Sequence, residues 1–432
     1  MGKKESIGIG LMGLGVVGGG VAKALVERAE AIASQVGCPL RLRKVLEKDL
    51  SKTRASKLEP ALFTTDPAEV IGDPEIDIII EALGGERPSL DFIKEAMGSG
   101  KHVVTSNKEV MAKHFPELLS LAKEKGVDIL YEASVGGGIP LIAPFKKDLL
   151  ANKLSAIHAI INGTTNYILT RMASEGLDFT SALKQAQELG YAEADPTNDI
   201  EGIDAAYKLT ILATLAFHAE VHPEDIYREG ISRLSARDFI YAKELGYAIK
   251  LLAIAKEKEG SVEVRVHPVF IPQDLLLAKV DGVYNAVQVE GDLVGRVIFY
   301  GQGAGSSPTS SAVVADVIDL GQRINLGVSI SPALRLDSGK RLKPISEIET
   351  RYYLRLSSFD RPGVLAQISK ILGDLQISIS SVIQKETDAA TKSAQIVLMT
   401  YPAQEGAMQK ALHEIEKLEV VKEISNFIRV ED

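Results

Sequence analysis

The first 150 residues alternate short β-rich apolar runs with stretches of helical periodicity. A parallel α/β sheet imposes that pattern, because its strands are covered on both faces and its crossover helices are covered on one. Residues 7–11 read as a strand, 17–33 as a helix and 40–46 as a second strand. Further strands are expected at 76–81, 102–105 and 128–131, with helices at 89–97 and 116–125 between them. After Gly136-Gly137-Gly138-Ile139-Pro140 the pattern changes. A strand-like run at 155–161 leads to helical stretches at 166–174, 181–189 and 204–217, and then to strands at 262–270 and 283–290. Residues 301–308 are rich in turn formers and precede one more helix, 310–320. Residues 325–349 read as a linker, and 352–357 open a strand–helix–strand pattern that runs almost to the end of the chain.

Composition narrows the class. At 432 residues the chain exceeds a single core, and two to four domains of roughly 100–200 residues are expected. Its 45% hydrophobic and 25% charged residues are those of an ordinary globular protein. A net charge of −9, with no Lys/Arg cluster to track phosphates, argues against nucleic acid as a partner. The single cysteine, Cys38, excludes an intrachain disulfide and fits a reducing compartment, so a cytoplasmic protein is expected. No apolar run approaches the roughly 18 residues that span a bilayer. Residues 1–6 satisfy a loose myristoylation pattern but read as a solvated leader to the first strand, with no room for a signal peptide.

Gly13-Leu14-Gly15-Val16-Val17-Gly18 follows a strand and opens a helix. In that context the first glycine permits a tight turn, the second lets backbone approach a pyrophosphate and the third lets helix pack on strand. The plainer alternative is a structural glycine turn. The second strand ends in Leu46-Glu47-Lys48-Asp49. An acid there binds a ribose 2′-hydroxyl, whereas Lys48 can pair a 2′-phosphate; the balance inclines to NADP over NAD. A later strand ends in Thr105-Ser106-Asn107-Lys108, where ligands of open α/β sheets bind, so Lys108 is placed to meet a substrate carboxylate or the cofactor.

Between Glu193 and Asp204 lie five acids within twelve residues, followed by Lys208. Asp195-Pro196 and Gly202 put the acids up to Asp199 on a loop. Asp204 and Lys208, four apart, share a face of the next helix, whose continuation Leu209-Thr210-Ile211-Leu212-Ala213 is of buried character. Reducing an aldehyde by hydride requires a proton for the new alkoxide, and a lysine held by a carboxylate can supply it. The alternative is a plain i,i+4 ion pair.

From Ala186 to Lys208 the chain meets in full the pattern A-x-x-x-G, an aromatic residue, then D-P-x-x-D-x-x-G-x-D-x-x-x-K, and so resembles the homoserine dehydrogenase family. Thr105–Lys108, 131–140, 161–169 and 301–309 are similar to the same family, and the likeness spans nearly all of 6–330. The resemblance implies interconversion of L-aspartate 4-semialdehyde and L-homoserine with NAD(P)H, on the route to threonine, methionine and isoleucine. It implies Lys208 as proton donor and acceptor, Asp204 as its partner and Lys108 close to substrate and cofactor. Glu193 would bind the substrate's amino group, with Asp199, Gly190 and Thr164 in the same pocket. Cofactor contacts would come from Gly13 to Gly18, Lys48, Thr105, Ser106, Lys108 and Gly303. The family's sodium site of main-chain carbonyls falls on Glu132, Val135, Gly137 and Ile139. Many members carry arginine where this chain has Lys48, preceded by Glu47.

His218 and His222 have the spacing of two metal ligands, but they lack the H-E-x-x-H pattern and a third ligand. Cys38 precedes a strand at the wrong end of the sheet for a nucleophile and reads as structural. Near the end of the chain Asp360, Pro362, Gly363, Leu365 and Ala366 resemble the ACT domain motif D-x-P-G-x-L-A, followed by apolar Ile368, Ile371, Leu372, Leu375 and a strand at 377–383. Such domains pair through their sheets and bind small amino acids, so threonine is the first candidate effector and a homodimer or homotetramer is expected; a mere dimerisation module is the alternative. The expected architecture is α/β: a Rossmann-type doubly wound sheet (1–150 with about 301–330), an inserted α+β substrate and dimerisation domain (151–300) and a ferredoxin-like ACT domain (350–432). Two rival functions are a non-catalytic amino-acid sensor and a dehydrogenase of another amino-acid aldehyde. The Asp204/Lys208 pair weighs against the sensor.

Overall fold

The structure, a computed structural model, describes residues 4–49, 58–328, 336–337, 339–384, 387–388 and 392–431. The leader residues Met1, Gly2 and Lys3, and 329–335 and 338 of the expected linker, lie outside that set. The chain forms two compact units: Met1–Leu154 with Tyr207–Pro223 and Val289–Lys340, and Ser155–Ala206 with Glu224–Gln288 and Arg341–Asp432.

Among the described residues one sheet of the first unit has six strands: β1 (Ile7–Met12), β2 (Leu40–Leu46), β3 (Phe63–Thr64), β4 (Ile78–Glu81), β5 (His102–Thr105) and β6 (Ile129–Leu130). All are parallel, in the order β3-β2-β1-β4-β5-β6. This is the doubly wound order that puts a crevice beyond the carboxyl end of β1. Runs such as Ile-Gly-Ile-Gly-Leu-Met in β1 and Ile-Ile-Ile-Glu in β4 are buried throughout, as strands covered on both faces must be.

The helix expected at 17–33 is two helices, α1 (Val16–Glu27) and α2 (Ala29–Val36), broken at Arg28 (φ −115°, ψ 18°). Neither Gly nor Pro marks that break, so periodicity alone misses it. Pro67 and the Asp66 cap, which accepts from Ala68 N–H, start α3 (Pro67–Ile71), an element absent from the sequence pattern. After α4 (Ser89–Gly98), α5 runs over Lys108–Lys125 and carries Pro116 past a non-helical His114, instead of beginning at the proline. A five-residue helix, α6 (Ile142–Lys146), follows β6. The helix Ser306–Leu326 returns to pack on α1, where the Ser306 and Ser310 hydroxyls donate to the Val16 and Val17 carbonyls at 2.9 and 3.1 Å. Its Val313, Val317 and Leu320 complete a core with Ile7, Ile9, Leu11, Val21, Val45, Ile78 and Ile80.

In the second unit one sheet runs Tyr284–Gly291, β7 (Leu154–Ile160), Tyr247–Lys258, Ser261–Pro272, Val421–Val430, Glu349–Phe359, Ser393–Thr400, Ile379–Ile383. The last four strands, with helices Val364–Asp374 and Glu405–Glu416, make the β-α-β-β-α-β arrangement of a ferredoxin-like domain over their own apolar core. This domain is joined to the rest of its unit by backbone: Val269 and Phe270 pair in parallel with Arg429 and Val430. Buried ion pairs flank that seam: Arg265 with Glu431 (2.8 Å), Arg429 with Glu405 (2.6 Å) and Arg355 with Asp238 (2.8 Å). The strand Tyr247–Lys258 was not expected, because Ile249–Ala255 is buried on both faces and a continuous apolar run does not reveal its period. Among the described residues no helix is long and apolar enough to cross a membrane.

Candidate active site

β1 ends at Met12 and the chain turns at Gly13, whose φ of +96° favours glycine and whose N–H donates to Leu46 O at 2.9 Å. A Cβ on Gly18 would stand 1.9 Å from Gly13 O, so the turn and α1 touch backbone to backbone. Gly15 differs: a Cβ there would meet nothing of the protein within 4 Å. Its lack of a side chain leaves open space at the N-terminus of α1, which has no side-chain cap and no acid in its first turn. An anionic group fits such a cradle, since the uncapped N–H groups and the helix dipole favour negative charge. At the tip of β2 the buried Glu47 carboxylate accepts from Leu14 N–H (3.0 Å) and Asp49 N–H (3.1 Å), while Lys48 is exposed.

Lys108 is set by a relay of buried groups. Glu81, at the end of β4, accepts from Leu83 N–H (2.9 Å) and from the Thr105 hydroxyl (2.6 Å), and Thr105 Oγ1 in turn accepts from Asn107 N–H (3.0 Å). Asn107 caps α5 through Val110 N–H (3.1 Å) and donates to Gly85 O (2.7 Å). Lys108 is the first residue of that helix and is half-buried. The Thr105 hydroxyl thus holds the loop, and Ser106 N–H donates to Glu81 O at 3.4 Å. Glu81 and Asn107 were not singled out in the sequence. The strand-end acid and the N-cap asparagine before a helical pattern were the available signals.

At the turn after β6, Gly136 (φ +76°) and Gly137 (φ +56°) bend the segment that carries the Glu132, Val135, Gly137 and Ile139 carbonyls. A Cβ on Gly137 would lie 2.5 Å from Gly303 O, so Gly303 meets this turn directly. The Glu132 carboxylate accepts from the N–H groups of Leu141, Ile142 and Ala143 at 2.6, 2.8 and 2.7 Å, and its own N–H donates to Asp316 at 2.8 Å. Burial pushes Asp316 up to about 7, and lowers Lys146, whose ammonium lies 4.1 Å from the Tyr131 ring centroid, to about 8.

In the second unit β7 runs into Asn162, the cap of α7 (Gly163–Glu175), and α8 (Phe179–Glu188) leads to the acid-rich stretch. Gly190 turns at φ +74°, and Thr164 Oγ1 donates to Tyr191 O at 2.7 Å. The Tyr191 and Tyr167 rings lie 5.0 Å apart, and Gln187 donates to Glu193 O at 3.1 Å. Glu193 itself is exposed. Asp195 accepts from the Thr197 hydroxyl (2.6 Å) and Thr197 N–H (3.1 Å), bonds that hold its carboxyl below the usual range. The acids up to Asp199 were expected on a loop; instead Asp199 sits in a one-turn helix, α9 (Thr197–Ile200), which the Asp195 bonds to Thr197 start. Asp204 and Lys208 lie one turn apart on α10 (Ile203–Phe217), and both are buried, at 3% and 8% exposure. Asn162 Nδ2 donates to Asp199 Oδ1 at 2.6 Å and to Asp204 Oδ2 at 2.9 Å. It is the residue here that sequence reasoning passed over.

Beyond the end of α10, His218 adopts φ +53° and His222 pairs with Glu220 at 3.4 Å. Among the described residues no group of three or more His, Cys, Asp or Glu side chains could hold a metal. Cys38 is buried.

Three family models match in succession: "Homoserine dehydrogenase, NAD binding domain" over residues 13–132, "Homoserine dehydrogenase" over 140–318 and "ACT domain" over 352–420. Homoserine dehydrogenase of Neisseria gonorrhoeae is 42% identical over 433 residues, covering 99% of each chain. The crystal structure of a homoserine dehydrogenase from Thiobacillus denitrificans matches at 45% identity with a TM-score of 0.94, covering 100% of this chain and 99% of that one. A hyperthermophilic archaeal homoserine dehydrogenase in complex with NADPH matches at 28% identity and a TM-score of 0.64, over 76% of this chain and 100% of its own. The chain belongs to the homoserine dehydrogenase family and is, with it, an NAD(P)-dependent oxidoreductase.

Proposed function

We propose that the protein interconverts L-aspartate 4-semialdehyde and L-homoserine, in the biosynthesis of threonine, methionine and isoleucine. The observation that carries this reading is the buried Asp204/Lys208 pair on α10, joined through Asn162 to Asp199. A buried lysine ammonium needs a carboxylate to hold it, and the same ammonium is a proton donor for an alkoxide.

The glycine turn Gly13–Gly18 would hold the coenzyme's pyrophosphate in the space that a Cβ on Gly15 would fill, with Leu14, Val16 and Val17 supplying backbone, and Thr105, Ser106 and Gly303 lining the same unit's loops. A bound nicotinamide dinucleotide supplies and accepts the hydride. In the oxidative direction Lys208 takes the hydroxyl proton of homoserine, and in the reductive direction it returns a proton to the aldehyde oxygen. Asp204 orients its ammonium, and Lys108, at the start of α5, serves substrate and coenzyme. Glu193 binds the substrate's ammonium, with Asp199, Gly190 and Thr164 completing that subsite. Glu47 is engaged by the Leu14 and Asp49 N–H groups, which leaves the exposed Lys48 to pair a 2′-phosphate, so we assign NADP(H) ahead of NAD(H). Lys48→Glu should then reverse the ratio of NADP to NAD affinities measured by calorimetry.

We assign a sodium ion to the carbonyls of Glu132, Val135, Gly137 and Ile139. The glycine-rich bend supports this assignment, as does the Glu132 carboxylate, which is spent on backbone N–H groups and leaves carbonyls as the hard donors on offer. We divide the work as the sequence suggests, with coenzyme binding in 1–150 and about 301–330, substrate binding and dimerisation in 151–300, and effector binding in 350–432. The ACT domain is assigned threonine as its effector, the assembly is a homodimer or homotetramer, and the compartment is the cytoplasm. The test is an absorbance assay with L-homoserine against L-serine and L-threonine, using NADP and NAD. The expected outcome is turnover with homoserine far above both analogues; equal turnover of an analogue would overturn the substrate assignment.

A further inference from the structure

Asn162 is buried, and both ends of its side-chain amide are hydrogen-bonded. Oδ1 accepts from Thr165 N–H at 2.8 Å and from Thr165 Oγ1 at 3.0 Å, which caps α7. Nδ2 spends its two N–H groups on two different carboxylates, Asp199 at 2.6 Å and Asp204 at 2.9 Å. The orientation of the amide is decided by chemistry: flipped, it would set an oxygen against two carboxylates and an NH2 against a backbone N–H.

The cap needs only the oxygen, and serine or aspartate would serve it as well. Capping therefore leaves the nitrogen unexplained. Two carboxylates within reach of one atom repel each other, and some donor must offset that repulsion. A lysine or arginine would do so by pairing with them, and would compete with any other cation. A neutral amide holds both acids in place and leaves their charge available to cationic groups. Lys208, one turn along α10 from Asp204, is one such group. A substrate ammonium near Asp199 is the other.

We propose that Asn162 is a positioning residue that couples the substrate acid Asp199 to the proton-transfer pair Asp204/Lys208. The proposal rests on the site reading given under Proposed function. In this role Asn162 acts by fixing the spacing of two acids carried on different helices, α9 and α10. Misplacing a reacting group by about an ångström costs on the order of 10²-fold in rate.

Asn162→Ser and Asn162→Thr test it, because both keep an acceptor for the α7 cap while a single O–H cannot serve two acids. Both should lower kcat on the order of 10²-fold and raise KM for homoserine about 10-fold, with the Kd for the dinucleotide and the melting temperature close to wild type. Asn162→Ala, which also loses the cap, should show the same kinetic loss together with a lower melting temperature. Kinetic constants within about threefold of wild type in the Ser and Thr variants would overturn the proposal. So would loss of kcat, dinucleotide affinity and melting temperature together, which marks a purely structural residue. Lys208→Ala and Asp204→Asn run in parallel separate the two levels. If they stay active, the site reading fails and the coupling with it; if they are inactive while the Asn162 variants are not, only the coupling fails.

Discussion

The two units prepare their ligand groups by different means. In the first, the proposed coenzyme cradle is backbone: Gly13 at positive φ, Gly18 against a carbonyl, and uncapped N–H groups at the start of α1. The proposed substrate machinery is side chains: in the second unit Asp199 and Asp204 meet on one amide nitrogen, and α10 carries Lys208 one turn on from Asp204. The lesson concerns what each can tolerate. A backbone cradle is insensitive to which side chains surround it but fails when a Cβ is added in the wrong place. A side-chain cluster fails when one atom changes from donor to acceptor.

The largest expected effect is that of Lys208→Ala, which should lower kcat by roughly 10³-fold or more and leave the dinucleotide Kd unchanged. Turnover above a tenth of wild type would remove Lys208 from the proton transfer. Next comes Asp238→Ala, which breaks the second unit's dependence on buried charge. Asp238 is fully buried and accepts from Arg355, Tyr353 and Asn426. Removing it strands the Arg355 guanidinium and should cost about 3–5 kcal/mol in denaturant unfolding. An unchanged midpoint would mean that the seam to the ACT strands does not rely on that pair.

The glycines sharpen the contrast within the cradle itself. Gly18→Ala collides with Gly13 O and should reduce stability as well as binding. Gly15→Ala meets no atom of the protein, so it should keep the melting temperature and weaken dinucleotide binding about 10–100-fold, one to two factors of ten in Kd. If Gly15→Ala binds the coenzyme as wild type does, the open space is not the pyrophosphate site. The smallest effect is expected from Glu193→Gln, about 10-fold in KM for homoserine at little cost to kcat, since it weakens a charge-assisted bond to the substrate's ammonium. A change confined to kcat would reassign Glu193.

How much of this was legible in the sequence follows the same division. The glycine turn was, because a glycine that needs positive φ or contact with a carbonyl leaves its mark at one position whatever surrounds it. Five of the six parallel strands were expected, at nearly their observed bounds; the two-residue β3 was not. Asp204 and Lys208 were legible because i and i+4 on a helix are neighbours by geometry alone. Asn162 was not. It lies 37 and 42 residues from its two acids, and nothing local distinguishes it from an ordinary cap. The ACT motif was visible at Asp360–Ala366, but not the parallel pairing that joins Val421–Val430 to Ser261–Pro272. Long-range pairing leaves no local periodicity, and the buried ion pairs beside it read as ordinary surface charges until their partners are known. The break at Arg28 was equally silent.

The central claim is that this chain moves a hydride between the terminal carbinol carbon of homoserine and a nicotinamide dinucleotide while Lys208 carries the proton. The most direct measurement uses L-homoserine deuterated at that carbon, with mass spectrometry of the reduced dinucleotide formed by wild type and by Lys208→Ala in ordinary water. One deuterium should appear on each nicotinamide reduced by the wild type, and formation of the labelled product should slow by roughly 10³-fold in the variant while its dinucleotide Kd is unchanged. Reduced dinucleotide without deuterium, or labelled product formed at the wild-type rate by Lys208→Ala, would contradict the account.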